Sequence, residues 1–280
     1  MRIEKEVDLY TYSTMRTHSI GAIVYIPTSV DELRDIIHTL HGNCLFLGCG
    51  SNVVFAQRVE KPIIDLMELD EKIYINDDGT VTAGCSVRIQ KLINFGKEHA
   101  LGGFEYLYSL PASVGGIVYM NAGRGRKHHQ QISDWMESVE YLDLNDMLVK
   151  TMTVDKAQWT YRCSPFHQMR AVILSATFRM KKSTQEEVAA QIQARKDAVK
   201  ISQEGNKPSC GSIFNYNNKY IMRFLRGKRI GGACYSKKTN NWICNDQNGS
   251  ADDVIALIDY AKKLHRLTFQ KCNLEIKIFK

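Results

Sequence analysis

A chain of 280 residues, 44% of them hydrophobic, can bury a substantial core as one large or two ordinary domains and has no need of a disulfide scaffold. Its 37 Lys and Arg against 30 Asp and Glu give a formal net charge of +7, which favours anionic ligands such as nucleotides or acidic sugars without naming one. The basic residues are dispersed and no helix-turn-helix, zinc-finger or RNA-recognition pattern accompanies them, so nucleic acid is not the expected partner.

Along the chain, short apolar runs alternate with amphipathic stretches, which predicts a mixed α and β fold. Ala22 to Ile26 reads as a strand ended by Pro27, and Thr28 or Ser29 then opens a helix with Leu33, Ile36, Ile37 and Leu40 along one side. Cys44 to Leu47 reads as a buried strand running into the Gly48-Cys49-Gly50 turn. Val53 to Phe55, Ile63 to Leu66, Ile73 to Ile75 and Val81 to Ala83 continue the strand rhythm, with Asn76 to Gly79 as a hairpin turn. Val87 to Ala100 reads as a helix. Gly102 to Gly125 is dense in glycine, which predicts tight turns and close backbone approach. Strands return at Val139 to Leu142, Leu148 to Thr153 and Ala171 to Met180. Lys181 to Lys200 is charged and helix-favouring, its apolar positions too sparse for deep burial, and the domain boundary is placed there, between residues 182 and 183. Pro208 to Phe214 reads as a turn into a strand, Asp252 to Arg266 as a helix capped by Ser250, and Leu274 to Phe279 as a closing strand.

The eight cysteines are scattered with no CxxC pair, which predicts reduced core thiols. His128-His129 completes no metal-ligand pattern, so no metal is expected, and Arg124, Arg126 and Lys127 beside it are read as an anion entrance. The opening MRIEKEVDLY lacks the apolar segment of a signal peptide, and no run approaches the about 18 apolar residues of a membrane helix. A cytosolic protein is therefore expected. With no long heptad and no obvious apolar edge, a monomer is the default.

Gly48-Cys49-Gly50-Ser51-Asn52 follows a strand but is not a Rossmann phosphate loop, because Val53 stands at the third glycine position and a strand follows where a helix is needed. Its glycine amides, with the Ser51 and Asn52 side chains, form either a phosphate nest or a plain strand turn. In the segment Leu110 to Gly123, small residues let a flat cofactor and its pyrophosphate lie against the backbone, and Asn121 can bond either a ligand or a nearby turn.

These two segments are preceded by Thr14-Met15-Arg16 and followed by Tyr161-Arg162-Cys163-Ser164-Pro165-Phe166, Gly211-Ser212-Ile213-Phe214, Ile230-Gly231-Gly232-Ala233 and Leu274-Glu275-Ile276. The ordered series resembles the UDP-N-acetylenolpyruvoylglucosamine reductase family over nearly the whole chain. The resemblance implies an α+β protein with an FAD-binding fold of the vanillyl-alcohol-oxidase (PCMH) type at 1–182, in two subdomains of roughly 1–80 and 81–182. It also implies a smaller α+β C-terminal substrate domain at 183–280. The short interval from Met180 to Pro208 resembles the compact subtype, which lacks an extra tyrosine-bearing loop. By motif matching, the resemblance implies FAD at Gly48, Gly50, Ser51, Asn52, Gly115, Gly116, Asn121, Ala122 and Gly123, NADPH as the hydride-donating co-substrate, and a sugar nucleotide as substrate.

Three residues carry the chemistry under this resemblance: Arg162 as the family arginine, Ser212 as the proton donor and Glu275 as the C-terminal glutamate. The implied reaction reduces the enolpyruvyl group of UDP-N-acetylenolpyruvoylglucosamine to give UDP-N-acetylmuramate for peptidoglycan. Two other readings stand beside it: a divergent FAD-dependent oxidoreductase acting on another acidic small molecule, and a catalytically silent flavin-binding module. Ser109-Leu110-Pro111-Ala112 departs from the usual Gly-Ile-Pro-Gly, Asn215 to Lys219 is shorter than usual and lacks a proline, and Thr239 stands where histidine is usual.

Overall fold

Two compact units share the chain in discontinuous segments: Met1–Arg2, Tyr25–Gly48 and Ile64–Ala198 form the first, and Ile3–Val24, Cys49–Ile63 and Val199–Lys280 the second. The computed structural model describes residues 1–205 and 207–280, and for Arg126 and Lys127 the backbone alone.

In the first unit, Ser29 caps the helix Val30–Thr39 by accepting the Glu32 amide at 3.2 Å, with Asp31 and Glu32 in the first turn and His38 in the last, as the helix dipole favours. Leu33, Ile36 and Ile37, three and four apart, fall on one face and are buried with Ile64, Leu142, Val172 and Leu174. A five-stranded antiparallel sheet runs in the order Val149–Thr153, Met136–Asp143, Ala171–Phe178, Val81–Gly84, Ile73–Ile75. Successive side chains of a strand point to opposite faces, so Val172 and Leu174 join that first core while Ile173 joins a second, larger one, and the register shift between Ile173 and Ser175 brings Ala176 to the Ile173 side. Burial on both faces explains the unbroken apolar run AVIL at 171–174. The larger core also takes Leu92 and Ile93 from the helix Ile89–Glu98 and Val114, Ile117 and Val118 from the helix Val114–Tyr119.

The helix Gln185–Ser202 supplies Val188 and Ile192, four apart, to this same core, and a β-carbon at Gly102 would come within 3.0 Å of Val188 Cγ2. The expectation that its apolar positions are too sparse for deep burial is thereby corrected, since Val188 and Ile192 are buried, and packing groups the helix as far as Ala198 with the first unit.

In the second unit, the helix Ala251–Leu267 begins in a capping box: Ser250 Oγ accepts the Asp253 amide at 3.1 Å and Asp253 Oδ2 accepts the Ser250 amide at 2.9 Å. Its Val254, Leu257, Ile258 and Ala261 are buried with Ala233, Tyr235 and Ile243 of the three-stranded sheet Arg229–Ile230, Ala233–Tyr235, Ile243–Asn245.

Two expectations are corrected. Leu274 to Phe279 is not one strand: Asn273–Leu274 pairs antiparallel with Phe214–Tyr216, and Lys277–Phe279 pairs in parallel with Val53–Phe55. Between them Ile276 is buried in the core, which lets the chain change partner without exposing its apolar side. The glycine-dense stretch from Gly102 to Gly125 is not turns throughout, since the helix Val114–Tyr119 stands inside it. Among the described residues, no helix is long and apolar enough to cross a membrane.

Candidate active site

In the first unit, Ser113 opens the helix Val114–Tyr119, its hydroxyl accepting the Gly116 amide at 3.4 Å. The Val114 and Gly115 amides donate to the Val87 and Cys85 carbonyls at 2.8 and 2.9 Å, which seats the first turn on the residues following the strand Val81–Gly84. A β-carbon at Gly115 would lie 3.2 Å from Cys85 Cβ, so glycine there serves close packing. At Gly116 a β-carbon would meet Ser113 Oγ at 3.6 Å, an ordinary contact, and at Gly48 it would meet the same hydroxyl at 3.1 Å. Gly48 of the first motif therefore lies against the cap of the second.

The helix ends in a Schellman arrangement with Asn121 as the left-handed residue, at φ 40°. The Asn121 amide donates to the Val118 carbonyl at 3.0 Å and the Ala122 amide to the Ile117 carbonyl at 2.8 Å. Gly123 then pairs with Gln131, and a β-carbon there would collide with the Gln130 carbonyl oxygen. The buried Asn121 side chain donates to Gln131 Oε1 and to the Thr160 carbonyl, each at 2.9 Å, and accepts the Ser133 amide at 3.3 Å. Of the two partners open to it in the sequence, its amide hydrogens take the turn.

Arg162 sits at φ 58° in a tight turn closed by reciprocal backbone bonds between Thr160 and Cys163, at 3.0 and 3.1 Å. Its guanidinium carbon lies 5.3 Å from the Tyr161 ring centroid. On the far side of the turn, Ser164 Oγ donates to the Tyr119 carbonyl at 2.7 Å, and the His167 ring stacks on Tyr119 at 4.2 Å. Burial first, and the neighbouring Cys163 second, hold the Tyr119 phenol above its ordinary range, so it stays neutral. Of the residues read as an anion entrance, the Arg126 and Lys127 side chains lie outside the described residues, and Arg124 is exposed.

In the second unit, Gly50 takes φ 62° and a β-carbon there would collide with the Tyr12 carbonyl. The Thr14 amide donates to the Gly50 carbonyl at 3.2 Å, and Ser13 Oγ and Cys210 Sγ both donate to the Val53 carbonyl, at 2.6 and 3.0 Å. Asn52 Nδ2 donates to the Glu275 carbonyl at 3.2 Å, and the Glu275 amide to the Ile213 carbonyl at 2.8 Å. Ser212 follows Gly211, which has φ 74°, and forms an isolated bridge with Trp242. Gly50, half-buried Ser51, Asn52, Ser212 and Glu275 are thus gathered in this unit, and Gly48, Gly115, Gly116, Asn121, Ala122, Gly123 and Arg162 in the first.

Nothing in the sequence marked the Thr160 carbonyl or the Ser164 hydroxyl as the groups through which the Arg162 turn is held. A signal did exist for the helix Val114–Tyr119, with Ser113 as cap and Asn121 as the left-handed terminator, but the glycines masked it.

An FAD binding domain model matches residues 21–152, and a UDP-N-acetylenolpyruvoylglucosamine reductase C-terminal domain model matches residues 203–277. The UDP-N-acetylenolpyruvoylglucosamine reductase of Francisella tularensis is 31% identical over 271 residues, covering 92% of this chain and 93% of its own. The chain belongs to the UDP-N-acetylenolpyruvoylglucosamine reductase family. A second reductase of that name, from Anoxybacillus flavithermus, is 30% identical over 272 residues, 93% of this chain and 88% of its own. The crystal structure of the Thermus caldophilus enzyme shares the fold, with a TM-score of 0.80 over the whole of both chains at 23% identity.

As a member of this reductase family, the chain has residues that suit FAD. The protein's own packing requires glycine at Gly123 and Gly50 and is tight at Gly115, whereas at half-buried Gly116 a β-carbon would make only ordinary contact. The family departures make local bonds. Thr239 Oγ1 donates to the Ser202 carbonyl at 2.6 Å, and Asn218 caps the helix Lys219–Phe224 by accepting the Tyr220 amide at 2.9 Å.

Proposed function

We propose that this chain reduces the enolpyruvyl group of UDP-N-acetylenolpyruvoylglucosamine to give UDP-N-acetylmuramate, with FAD as cofactor and NADPH as hydride donor. The observation that carries this reading is the pairing of an FAD binding domain at 21–152 with the reductase C-terminal domain at 203–277 in one chain.

When bound, FAD would supply the hydride chemistry that links NADPH to C3 of the enolpyruvyl double bond. Gly48, Gly50, Ser51 and Asn52, with Gly115, Gly116, Asn121, Ala122 and Gly123, hold it, the backbone in the main. As the new C–H bond forms at C3, negative charge develops on the C2 side and the carboxylate, and Arg162 offsets it with a fixed cation. The Ser212 hydroxyl supplies the proton that completes C2. A serine is a weak acid, so this step requires cationic surroundings and excluded water. Glu275 fixes the hydrogen bonding around Ser212, from a backbone that is itself bonded to Ile213.

In this reading residues 1–182 serve the cofactor and 183–280 the substrate, in a cytosolic monomer with no nucleic-acid or membrane partner. Sizing of the FAD-loaded protein checks the monomer. The deciding experiment is the visible spectrum of the purified protein, followed by anaerobic NADPH with and without UDP-N-acetylenolpyruvoylglucosamine. Bleaching by NADPH that the enolpyruvyl substrate reverses is the expected result. Reversal by other acidic acceptors alone points to a divergent oxidoreductase, a yellow protein that never bleaches to a silent flavin module, and a colourless one that takes up no FAD ends the reading.

A further inference from the structure

We infer that Asn121 is a positioning residue for Arg162, holding the turn that presents the guanidinium; the inference rests on the reading of Arg162 given above. The glycine-rich motif and the arginine turn are 39 positions apart, and the Asn121 amide bridges them by donating to the Thr160 carbonyl at 2.9 Å. That carbonyl also accepts the Cys163 amide at 3.1 Å, so one oxygen is shared between the bond that closes the turn and the bond that anchors it.

The turn needs an anchor. A non-glycine residue at positive φ, as Arg162 is at 58°, is disfavoured and persists only where its surroundings hold it. Asn121 holds one side, and Ser164 Oγ, through its 2.7 Å bond to the Tyr119 carbonyl, holds the other. Both anchors reach the same place, the end of the helix Val114–Tyr119. Asn121 is itself pinned there at φ 40° by the Schellman bonds and by Gln131 and Ser133. With its exposure at 1% and both amide hydrogens bonded within the protein, the side chain acts on the arginine and not on a ligand.

The test compares Asn121→Gly with Gln131→Leu. Glycine keeps the left-handed backbone and removes the bond to Thr160, whereas Gln131→Leu removes the other partner of the same amide and leaves that bond in place. In Asn121→Gly, taken per FAD-loaded protein, reoxidation by the enolpyruvyl substrate is expected to slow by about a hundredfold more than bleaching by NADPH, the cost of a misplaced charge. Binding of UDP-N-acetylmuramate, read from the flavin spectrum without turnover, is expected to weaken by about tenfold. Exchange of the Cys163 amide hydrogen is expected to quicken by about tenfold, and this reads the turn whether or not any substrate is turned over. If Asn121→Gly does not fold, Asn121→Asp keeps the volume and the bond from Ser133, places an acceptor against the Thr160 carbonyl, and is expected to give the same split.

Loss of FAD in step with activity, equal slowing of both half-reactions, unchanged Cys163 exchange, or the same split in Gln131→Leu overturns the inference. A parent protein that NADPH bleaches but the enolpyruvyl substrate does not reoxidise overturns the proposed substrate instead, and the Cys163 exchange still decides the role of Asn121.

Discussion

Asn52 donates its side-chain amide to the main-chain carbonyl of Glu275 at 3.2 Å, joining two residues 223 positions apart. The Lys277 amide returns a bond to the Asn52 carbonyl at 2.9 Å, so the end of the first glycine motif extends the ladder between Val53–Phe55 and Lys277–Phe279. Residues read as cofactor contacts and a residue read as part of the proton-transfer apparatus thereby share one piece of backbone.

The glycines of the two motifs are expected to differ sharply under alanine substitution. Gly50→Ala forces a β-carbon into the Tyr12 carbonyl at φ 62°, so it is expected to lose most of the folded protein. Gly116→Ala meets nothing nearer than 3.6 Å and is expected to keep the parent's unfolding midpoint while weakening FAD binding. Gly79, in the hairpin turn at φ 78° with open space around it, calibrates the pure backbone cost at about 1–2 kcal/mol. Thermal denaturation of the three variants, with flavin titration of those that fold, makes the comparison. A Gly50→Ala protein as stable as Gly79→Ala would contradict the steric account.

Ser212→Ala is expected to leave reduction by NADPH nearly intact and to slow reoxidation by the enolpyruvyl substrate by several orders of magnitude. Removing a proton donor affects only the step that consumes the proton. Rapid-mixing absorbance of the two half-reactions separates them, and an equal loss in both would contradict the assigned role.

Acid stability is expected to report on Asp246. Arg229 grips this carboxylate with bonds of 2.8 and 3.0 Å and Lys207 adds one of 3.1 Å, and the Arg229 bond foremost lowers its pKa from 3.8 to about 2. A carboxyl depressed in the folded state stabilises fully above its unfolded value, and that contribution disappears as pH falls through the folded one. The stability gap between the parent and Asp246→Asn should therefore be level at neutral pH and close between pH 3.8 and about 2. Denaturant titrations across that window measure it, and a gap that widens toward acid would reverse the sign of the argument.

Ser250→Ala is expected to cost about 1 kcal/mol, since it removes the hydroxyl that accepts the Asp253 amide at the start of the helix Ala251–Leu267. Because that helix supplies Val254, Leu257 and Ile258 to the second unit's core, the loss should appear in global unfolding and not as local fraying. Hydrogen exchange of its first-turn amides alongside the denaturation midpoint distinguishes the two.

Local chemistry was legible in the residues themselves. Thr28 or Ser29 marked one helix start, which the structure gives to Ser29, and Ser250 marked another; Asn76 to Gly79 marked the hairpin and the motif series the family, because caps, turns and close approaches depend on a few neighbouring side chains. Three matters were settled only by distant parts of the chain. Whether the Asn121 amide faces a ligand or Thr160 depends on a carbonyl 39 positions on. The C-terminal run breaks at Glu275 because its alternation specifies which side is buried and not which strand it pairs with. The helix Gln185–Ser202 joins the first core on two side chains, Val188 and Ile192, that look too few until Gly102 is seen to make room for them. Patterns of polarity and turn chemistry are written into neighbouring residues, whereas the choice among partners of equal chemistry is made by close packing, which exists only after the chain has come together.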